Sequence, residues 1–358
     1  MPHTAEDRAR CRRRRWPPDR SRRRTPGPRD PALAPEPCRR YAPRMTDSMR
    51  ITILLASFQG ERFIGAQLDS LARQDHRNWR LILSDDGSTD GTLEIVRRFA
   101  AAHPSRQIEI RQGPRRGATR NFLSMIELVE PGEALAFCDQ DDLWLPDRLS
   151  RGVAALAVDG AAVAEGTLHV TRTTICDEAL RALRPAPLYT RPPGFANALV
   201  QACTPANTML VDPAGVARLR AARHGAIAAD VISHDWWAYQ MISGAGGRVI
   251  RDPARTVLYR QHRGNVMGRN DTPRAILARL GRLGAGDYGT WLRQNVAALQ
   301  AARDLLTPGH AAMLDQFATA IDSPGPQAAA RLARLGVYRQ TRAGTAALLL
   351  AAAAGRLR

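Results

Sequence analysis

Four short stretches carry residue types that could do chemistry. The densest is Asp139-Gln140-Asp141-Asp142-Leu143-Trp144, three carboxylates in four positions directly behind the apolar run Ala134–Cys138. Like charges that close raise one another's pKa unless a cation neutralises them. Hard oxygen ligands suit Mg2+ or Mn2+. A metal held there could bridge a diphosphate and stabilise it as a leaving group. An exposed acidic turn is the competing reading, and it fits poorly beside so apolar a segment. The second stretch is Ser84-Asp85-Asp86-Gly87-Ser88-Thr89-Asp90. Acidic residues at a strand end, followed by Gly and helix-capping residues, make a tight turn into a helix. An Asp there can accept hydrogen bonds from a base or ribose; a plain turn and cap is the alternative. The third is His234-Asp235-Trp236-Trp237. Paired tryptophans can wall a sugar-sized pocket, or sit in the core at a helix start. Asp235 is read as a general base rather than a helix cap, because it accompanies a candidate metal site. The fourth is Tyr259-Arg260-Gln261-His262-Arg263-Gly264-Asn265-Val266, whose cations could clamp phosphate and whose His262 could ligate a metal.

These stretches need elements to position them. Ile51–Ala56 reads as a short β-branched strand and Glu61–Arg73 as an amphipathic helix, with Phe63, Ile64, Leu68 and Leu71 at helical spacing. Strands over Trp79–Leu83, Gln107–Arg111 and Ala134–Cys138 alternate with helices over Thr92–Ala102 and Asn121–Val129. That alternation predicts an α/β fold, a doubly wound, mostly parallel sheet flanked by helices. Ligands in such sheets sit at the carboxyl ends of the strands, and the polar stretches at 84 and 139 begin where strands end. Beyond Arg151 the pattern loosens. Gly166–Cys176 reads as strand and Pro192–Val211 as mixed loop, helix and strand. His234–Ser243 reads as helix, Arg248–Ile250 and Val257–Tyr259 as two short strands, and residues 274–320 as amphipathic helix. Ser323–Pro326 is expected to be a linker, and Gln327–Arg358 ends in the small apolar run Thr345–Ala354 between arginines. The expected organisation is a disordered Arg/Pro-rich extension at 1–48, a catalytic domain at 49–270 and a helical C-terminal region at 271–358.

Charge and composition bound the function classes. All 52 basic residues are arginine, against 34 acidic residues, for a net charge of +18. Residues 1–48 hold 14 arginines against 6 acidic residues and almost no aliphatic periodicity. That segment reads as a flexible extension, with translation starting at Met45 or Met49, ahead of a nucleic-acid or acidic-lipid tail. A basic surface on the remainder suits a diphosphate or an anionic membrane face; solvated surface arginine is the equal alternative. The five cysteines form no CxxC or Cys/His cluster, which argues against a disulfide framework or zinc site and for a reducing cytosol. Cys138 reads as core. No run of eighteen apolar residues offers a spanning helix, and no signal-peptide pattern opens the chain.

Taken in order, Leu55-Ala56-Ser57-Phe58-Gln59-Gly60, Ser84–Ser88, Asp139–Trp144, His234–Trp237 and Tyr259–His262 resemble glycosyltransferase family 2, the inverting GT-A-fold family, in its rhamnosyltransferase-like branch. The resemblance covers about residues 50–268. It implies that Ser57 and Glu61 lie near the donor nucleotide, and that Asp86, with Asp85, contacts the base or ribose. It places Asp139 by the ribose, Asp141 on the metal, Asp235 as catalytic base, and Arg260 and His262 facing the diphosphate. Departures are Phe58 and Gln59, where the family commonly has Tyr and Asn, and Thr204-Pro205-Ala206-Asn207-Thr208-Met209 in place of a Gly-Cys/Asn-Thr-Met pattern.

The expected activity is transfer of a sugar, first rhamnose from dTDP-rhamnose, to a hydroxyl of a cell-surface glycan or lipid-linked acceptor, with Mg2+ or Mn2+. Trp236 and Trp237 are the expected acceptor wall. The C-terminal segment is expected to touch the membrane surface, in an otherwise cytoplasmic protein with no specific nucleic-acid partner. An inactive GT-A binding module and a nucleic-acid-binding protein acting through 1–48 are the competing classes; a nucleotidyltransferase is allowed by fold alone but lacks a Gly-rich, Lys-bearing phosphate loop.

Overall fold

The computed structural model describes residues 49–157, 163–262 and 287–358. The expected extension at 1–48 therefore lies outside the described residues. So do residues 263–266 of the fourth stretch and 274–286 of the expected helical span.

The first half follows the alternation closely. β1 (Ile51–Ser57), α1 (Ile64–Ala72), β2 (Trp79–Asp85), α2 (Thr92–Ala102), β3 (Ile108–Gln112), α3 (Ala118–Met125) and β4 (Ala134–Asp139) come in turn. A 3-10 turn over Ile126–Leu128 ends α3 early, so the expected helix to Val129 stops short. The helix expected from Glu61 begins only at Ile64, after a turn closed by Phe63 and Ile64 N–H groups on the Gly60 carbonyl. β1 pairs in parallel with β2 and β4, and β2 with β3.

Residues of one strand serve two cores, because successive side chains leave opposite faces. Ile51, Ile53 and Leu55 pack with Leu68 of α1, Val96 of α2 and Val153 on one face. Leu54 packs with Phe122 of α3 and Trp237 on the other. Burial on both faces is why these strands read as nearly continuous apolar runs. Cys138 is core, as expected, its thiol receiving the Gln67 amide at 2.8 Å.

The second half mixes directions. It contains β5 (Leu143–Trp144), α4 (Arg148–Leu156), β6 (Thr167–Cys176), β7 (Ala182–Pro185), α5 (Phe195–Ala198), β8 (Met209–Val211), α6 (Pro213–Ala228), α7 (His234–Gly244) and β9 (Arg248–Arg260). The sheet order among the described residues is β3-β2-β1-β4-β8-β6-β9-β5, with β7 on β6. β8 runs antiparallel to both β4 and β6, and β9 runs parallel to β6. The two short strands expected at 248–250 and 257–259 are one strand. Asp252-Pro253 reads as a break, but it falls where the β6–β9 register shifts, and there a proline costs no ladder bond.

Among the described residues four α-helices follow: α8 (Asp287–Gln300), α9 (Pro308–Asp322), α10 (Gly325–Leu335) and α11 (Arg342–Ala353). Of the expected linker Ser323–Pro326 only Ser323 and Pro324 lie between helices; Pro326 occupies the first turn of α10, where its missing N–H costs nothing. Leu292, Phe317, Leu332 and Leu348 from these helices share one core with α6 and α7. No described helix is long and apolar enough to cross a membrane.

His234 heads α7, its ring stacked on Phe122 at 4.2 Å and edge-on to Phe137 at 4.9 Å between centroids. Burial drives its imidazole down to about 4 from the ordinary 6.5, partly opposed by Asp235. Between those values the unfolded chain binds the proton and the folded chain does not, so stability falls with falling pH. At pH 5 the linked loss is about 2 kcal/mol. Urea unfolding at pH 7.5 and pH 5 should therefore show a gap smaller by about that amount in His234→Phe than in wild type. An equal gap in both proteins would contradict a neutral buried His234.

Candidate active site

The motif residues gather at the carboxyl ends of β1, β2, β4 and β9 and at the amino end of α7. At the end of β2, Asp85 is fully engaged. It accepts Gly87 N–H at 3.1 Å and Ser88 N–H at 2.7 Å on one oxygen, and Ser57 Oγ at 2.8 Å and Ser88 Oγ at 2.6 Å on the other. Asp86 receives Arg115 N–H at 2.6 Å and Gly117 N–H at 2.7 Å. Both carboxylates thus shape the loops after β2 and β3. Asp86 keeps lone pairs for a ligand, while Asp85 and Ser57 are committed to one another. A Cβ at Gly113 would stand 2.7 Å from Asp86 Oδ1, so glycine is required there. Glu61 is exposed, and its carboxylate accepts Gly91 N–H at 3.0 Å. It pins the start of α2 to the loop after β1.

The end of β4 is the acidic centre. Asp142 is wholly buried, held by the Asn207 amide and by Arg260 N–H at 3.2 Å. Burial, then the charges of Asp141 and Asp139, push its carboxyl well above the ordinary range. Burial, then Asp141 and Asp235, push the Asp139 carboxyl up in the same way.

Asp141 Oδ2 lies 2.7 Å from His262 Nε2. Arg260 Nε donates to the Asp141 carbonyl at 2.8 Å, and its terminal nitrogen to the Glu178 carbonyl. Phe63 is the platform beneath them, with the His262 ring at 4.7 Å and the Arg260 guanidinium at 4.6 Å. Arg260 is buried and committed to carbonyls. Through these two contacts Arg260, expected to face the diphosphate, braces the backbone of Asp141.

As a cation site the donor set is minimal. Asp141 and His262 offer one hard oxygen and one imidazole nitrogen, and no cluster of three ligating side chains exists among the described residues. Carboxylate and imidazole fit Mn2+ or Mg2+ if phosphate oxygens complete the sphere. The raised carboxyls beside them are the charge such a cation would offset.

Asp235 sits in the first turn of α7. Its carboxylate accepts Ser233 Oγ, Trp236 N–H at 2.6 Å and Ala206 N–H at 3.3 Å. Three donors, from the cap residue before α7, the first turn of α7 and the turn before β8, fix its orientation. The Ala206 contact comes from the segment where the sequence departs from the resembled pattern, so that departure still supports Asp235.

The expected acceptor wall is not there. Trp236 is 4% exposed and Trp237 0%, both within the larger core. Trp236 Nε1 donates to the Ala198 carbonyl at 2.6 Å, and its ring stacks with Tyr288 at 6.3 Å. An all-round buried helix turns both indoles inward; they hold α7 and so place Asp235. Sequence reading left Asn207, Phe63 and Glu178 without a role in the site. Phe63 had a signal, one residue before α1 on its apolar face; the partnership of Asn207 with Asp142 had none.

Residues 52–210 match the family model described as glycosyl transferase family 2. Over those residues, a little under half of its length, the chain is similar to this family. Among its relatives is the dTDP-rhamnosyl transferase RfbG of Shigella flexneri, 28% identical over 256 residues, covering 68% of this chain and 83% of RfbG. Another is the UDP-Glc:alpha-D-GlcNAc-diphosphoundecaprenol beta-1,3-glucosyltransferase WfgD of Escherichia coli, 25% identical over 124 residues, covering 35% of this chain and 47% of WfgD. The structure of S. aureus TarS 1-349 in complex with UDP-GlcNAc superposes with a TM-score of 0.53 at 16% identity, covering 86% of this chain and 88% of that one. That likeness is one of fold, GT-A, and the glycosyltransferase keeps its motif residues at the strand ends where such a fold binds ligands.

Proposed function

We propose that this glycosyltransferase moves rhamnose, with inversion and with a divalent cation, from dTDP-rhamnose to a hydroxyl of a cell-surface glycan or lipid-linked acceptor. The observation that supports this mechanism is geometric: Asp235 accepts Ala206 N–H at 3.3 Å while the next residue, Asn207, donates to Asp142, so one short segment ties the carboxylate of α7 to the acidic run that meets His262. Asp235 takes the proton of the acceptor hydroxyl as its oxygen attacks the anomeric carbon. The carbon–phosphate oxygen bond breaks as the new glycosidic bond forms. The nucleoside diphosphate leaves with the electron pair, and the centre inverts. No second carboxylate need act as nucleophile, unlike a retaining hydrolase. Mg2+ or Mn2+ held by Asp141 and His262 would neutralise charge on that leaving group. Asp86, with lone pairs still open, is the candidate contact for the base or ribose.

The rhamnose reading leans on the similarity to RfbG, which spans most of both chains. The lipid-linked acceptor leans on the WfgD name and on α11, where Leu350 is 70% exposed and arginines 342, 356 and 358 flank an acid-free stretch.

A nucleotide-release assay on the full chain with Mn2+ tests the donor. Release of dTDP from dTDP-rhamnose should exceed release from UDP-glucose or GDP-mannose by at least about tenfold, the effect of one lost pocket contact. Preference for another donor would overturn the rhamnose assignment; no turnover of any donor, with acceptor-bearing membranes added, would overturn the activity.

A further inference from the structure

The loop from Ser57 to Glu61 lies between the ends of β2 and β4, as the sheet order requires. Its β2 side is stitched by side chains. Gln59 N–H donates to Ser88 Oγ at 2.8 Å, Gln59 Nε2 to Thr89 Oγ1 at 3.0 Å, and Gly60 N–H to Thr92 Oγ1 at 2.8 Å. The β4 side is tied by Gln140. Its Oε1 accepts Phe58 N–H at 3.0 Å, and its Nε2 donates to the Phe58 carbonyl at 2.9 Å. One side-chain amide thus satisfies both backbone polar groups of one residue, as a neighbouring strand would.

Two further features make the contact demanding. A Cβ at Gly60 would stand 2.2 Å from Gln140 Oε1, so the amide can lie there only over glycine. Gln59, next to Phe58, is held at a φ of 48°, a left-handed conformation that costs energy in a residue with a side chain. The loop is therefore shaped by side-chain contacts. Gln140 itself stands between Asp139 and Asp141.

We infer that Gln140 is a positioning residue, which locks the donor-side loop Ser57–Glu61 to the cation-side Asp141 by clamping Phe58. The inference rests on the functional reading above, in which the nucleotide meets the first and the diphosphate the second. It acts through the Phe58 backbone, so its loss should loosen donor binding while leaving Asp235 and the proton transfer in place.

The experiment compares the full chain with Gln140→Ala, Gly60→Ala and the double variant. The donor is whichever nucleotide sugar the wild type turns over. Losing two hydrogen bonds should raise donor KM about tenfold with kcat within about threefold. Gly60→Ala should do the same by evicting the amide. The double variant should be no worse than Gln140→Ala, since the new methyl then has room, a non-additivity expected of groups in contact. Hydrogen exchange at the Phe58 amide should speed up in all three, with melting temperatures within about 2 °C of wild type. Unchanged KM and exchange in Gln140→Ala would overturn the inference. So would additive effects, or losses that merely track a lowered melting temperature. A wild type that turns over no donor would count against the functional reading instead, and exchange at Phe58 would still decide whether the clamp exists.

Discussion

Asp235→Asn should lower kcat by about 10^3-fold, within the range that general-base groups contribute. The substitution keeps the size of the side chain and its Oδ1, which accepts Ser233 Oγ and Trp236 N–H. It removes the only atom at that position able to take a proton from an acceptor hydroxyl. Donor KM should stay within about threefold, because Asp235 lies on α7 rather than on the loops after β1 and β2, which are proposed to face the nucleotide. Glycan formation and nucleotide release, measured together with saturating donor, check this. A loss of less than about tenfold would remove Asp235 from the chemistry and leave it as a cap that fastens α7 to Ala206.

Asp141→Ala should be as severe by a different route. It deletes the carboxylate that faces His262 at 2.7 Å, and with it one of the two proposed cation ligands. If the cation contributes about 4 kcal/mol to stabilising the leaving diphosphate, the rate falls about 10^3-fold. The variant should also become indifferent to chelator, and its donor KM should rise, unlike that of Asp235→Asn. Rates measured over a Mn2+ titration separate the two variants. A Mn2+ midpoint unchanged from wild type would show that the cation, if used, is held elsewhere.

Much of the site was legible because chemistry and topology coincide in this chain. β1, β2 and β4 announce themselves as apolar runs, and the carboxylates at 85, 86, 139 and 141 follow directly where those runs stop. α2 was legible to both ends, Thr92 to Ala102, since its apolar residues recur at helical spacing between a polar start and a His-Pro stop. What sequence could not show was direction. Trp236 and Trp237 are large and aromatic wherever they point; only the packing of α7 between the sheet and α8 reveals that they face inward. Arg260 likewise reads as a phosphate ligand, and its contacts to the Asp141 and Glu178 carbonyls leave no mark in the sequence.

Other gaps have local causes. α6 carries its signal, Asp212 capping Gly215 N–H at 2.7 Å ahead of Pro213. Its alternation of alanine and arginine gives little apolar contrast, so it passed unread. β9 was split by Pro253, which marks a register shift rather than an end. The pairing of Gln140 with Phe58 joins residues 82 apart in the chain, and no periodicity links them.

The carboxylates after β4 and His262 are proposed to bind a nucleoside diphosphate through a divalent cation. Calorimetric titration of the full chain with dTDP, with Mn2+ and then with excess chelator, tests it most directly. Binding with Mn2+ should weaken at least about a hundredfold when the metal is removed, about 3 kcal/mol of metal-mediated contact. Equal affinity with and without metal would contradict it.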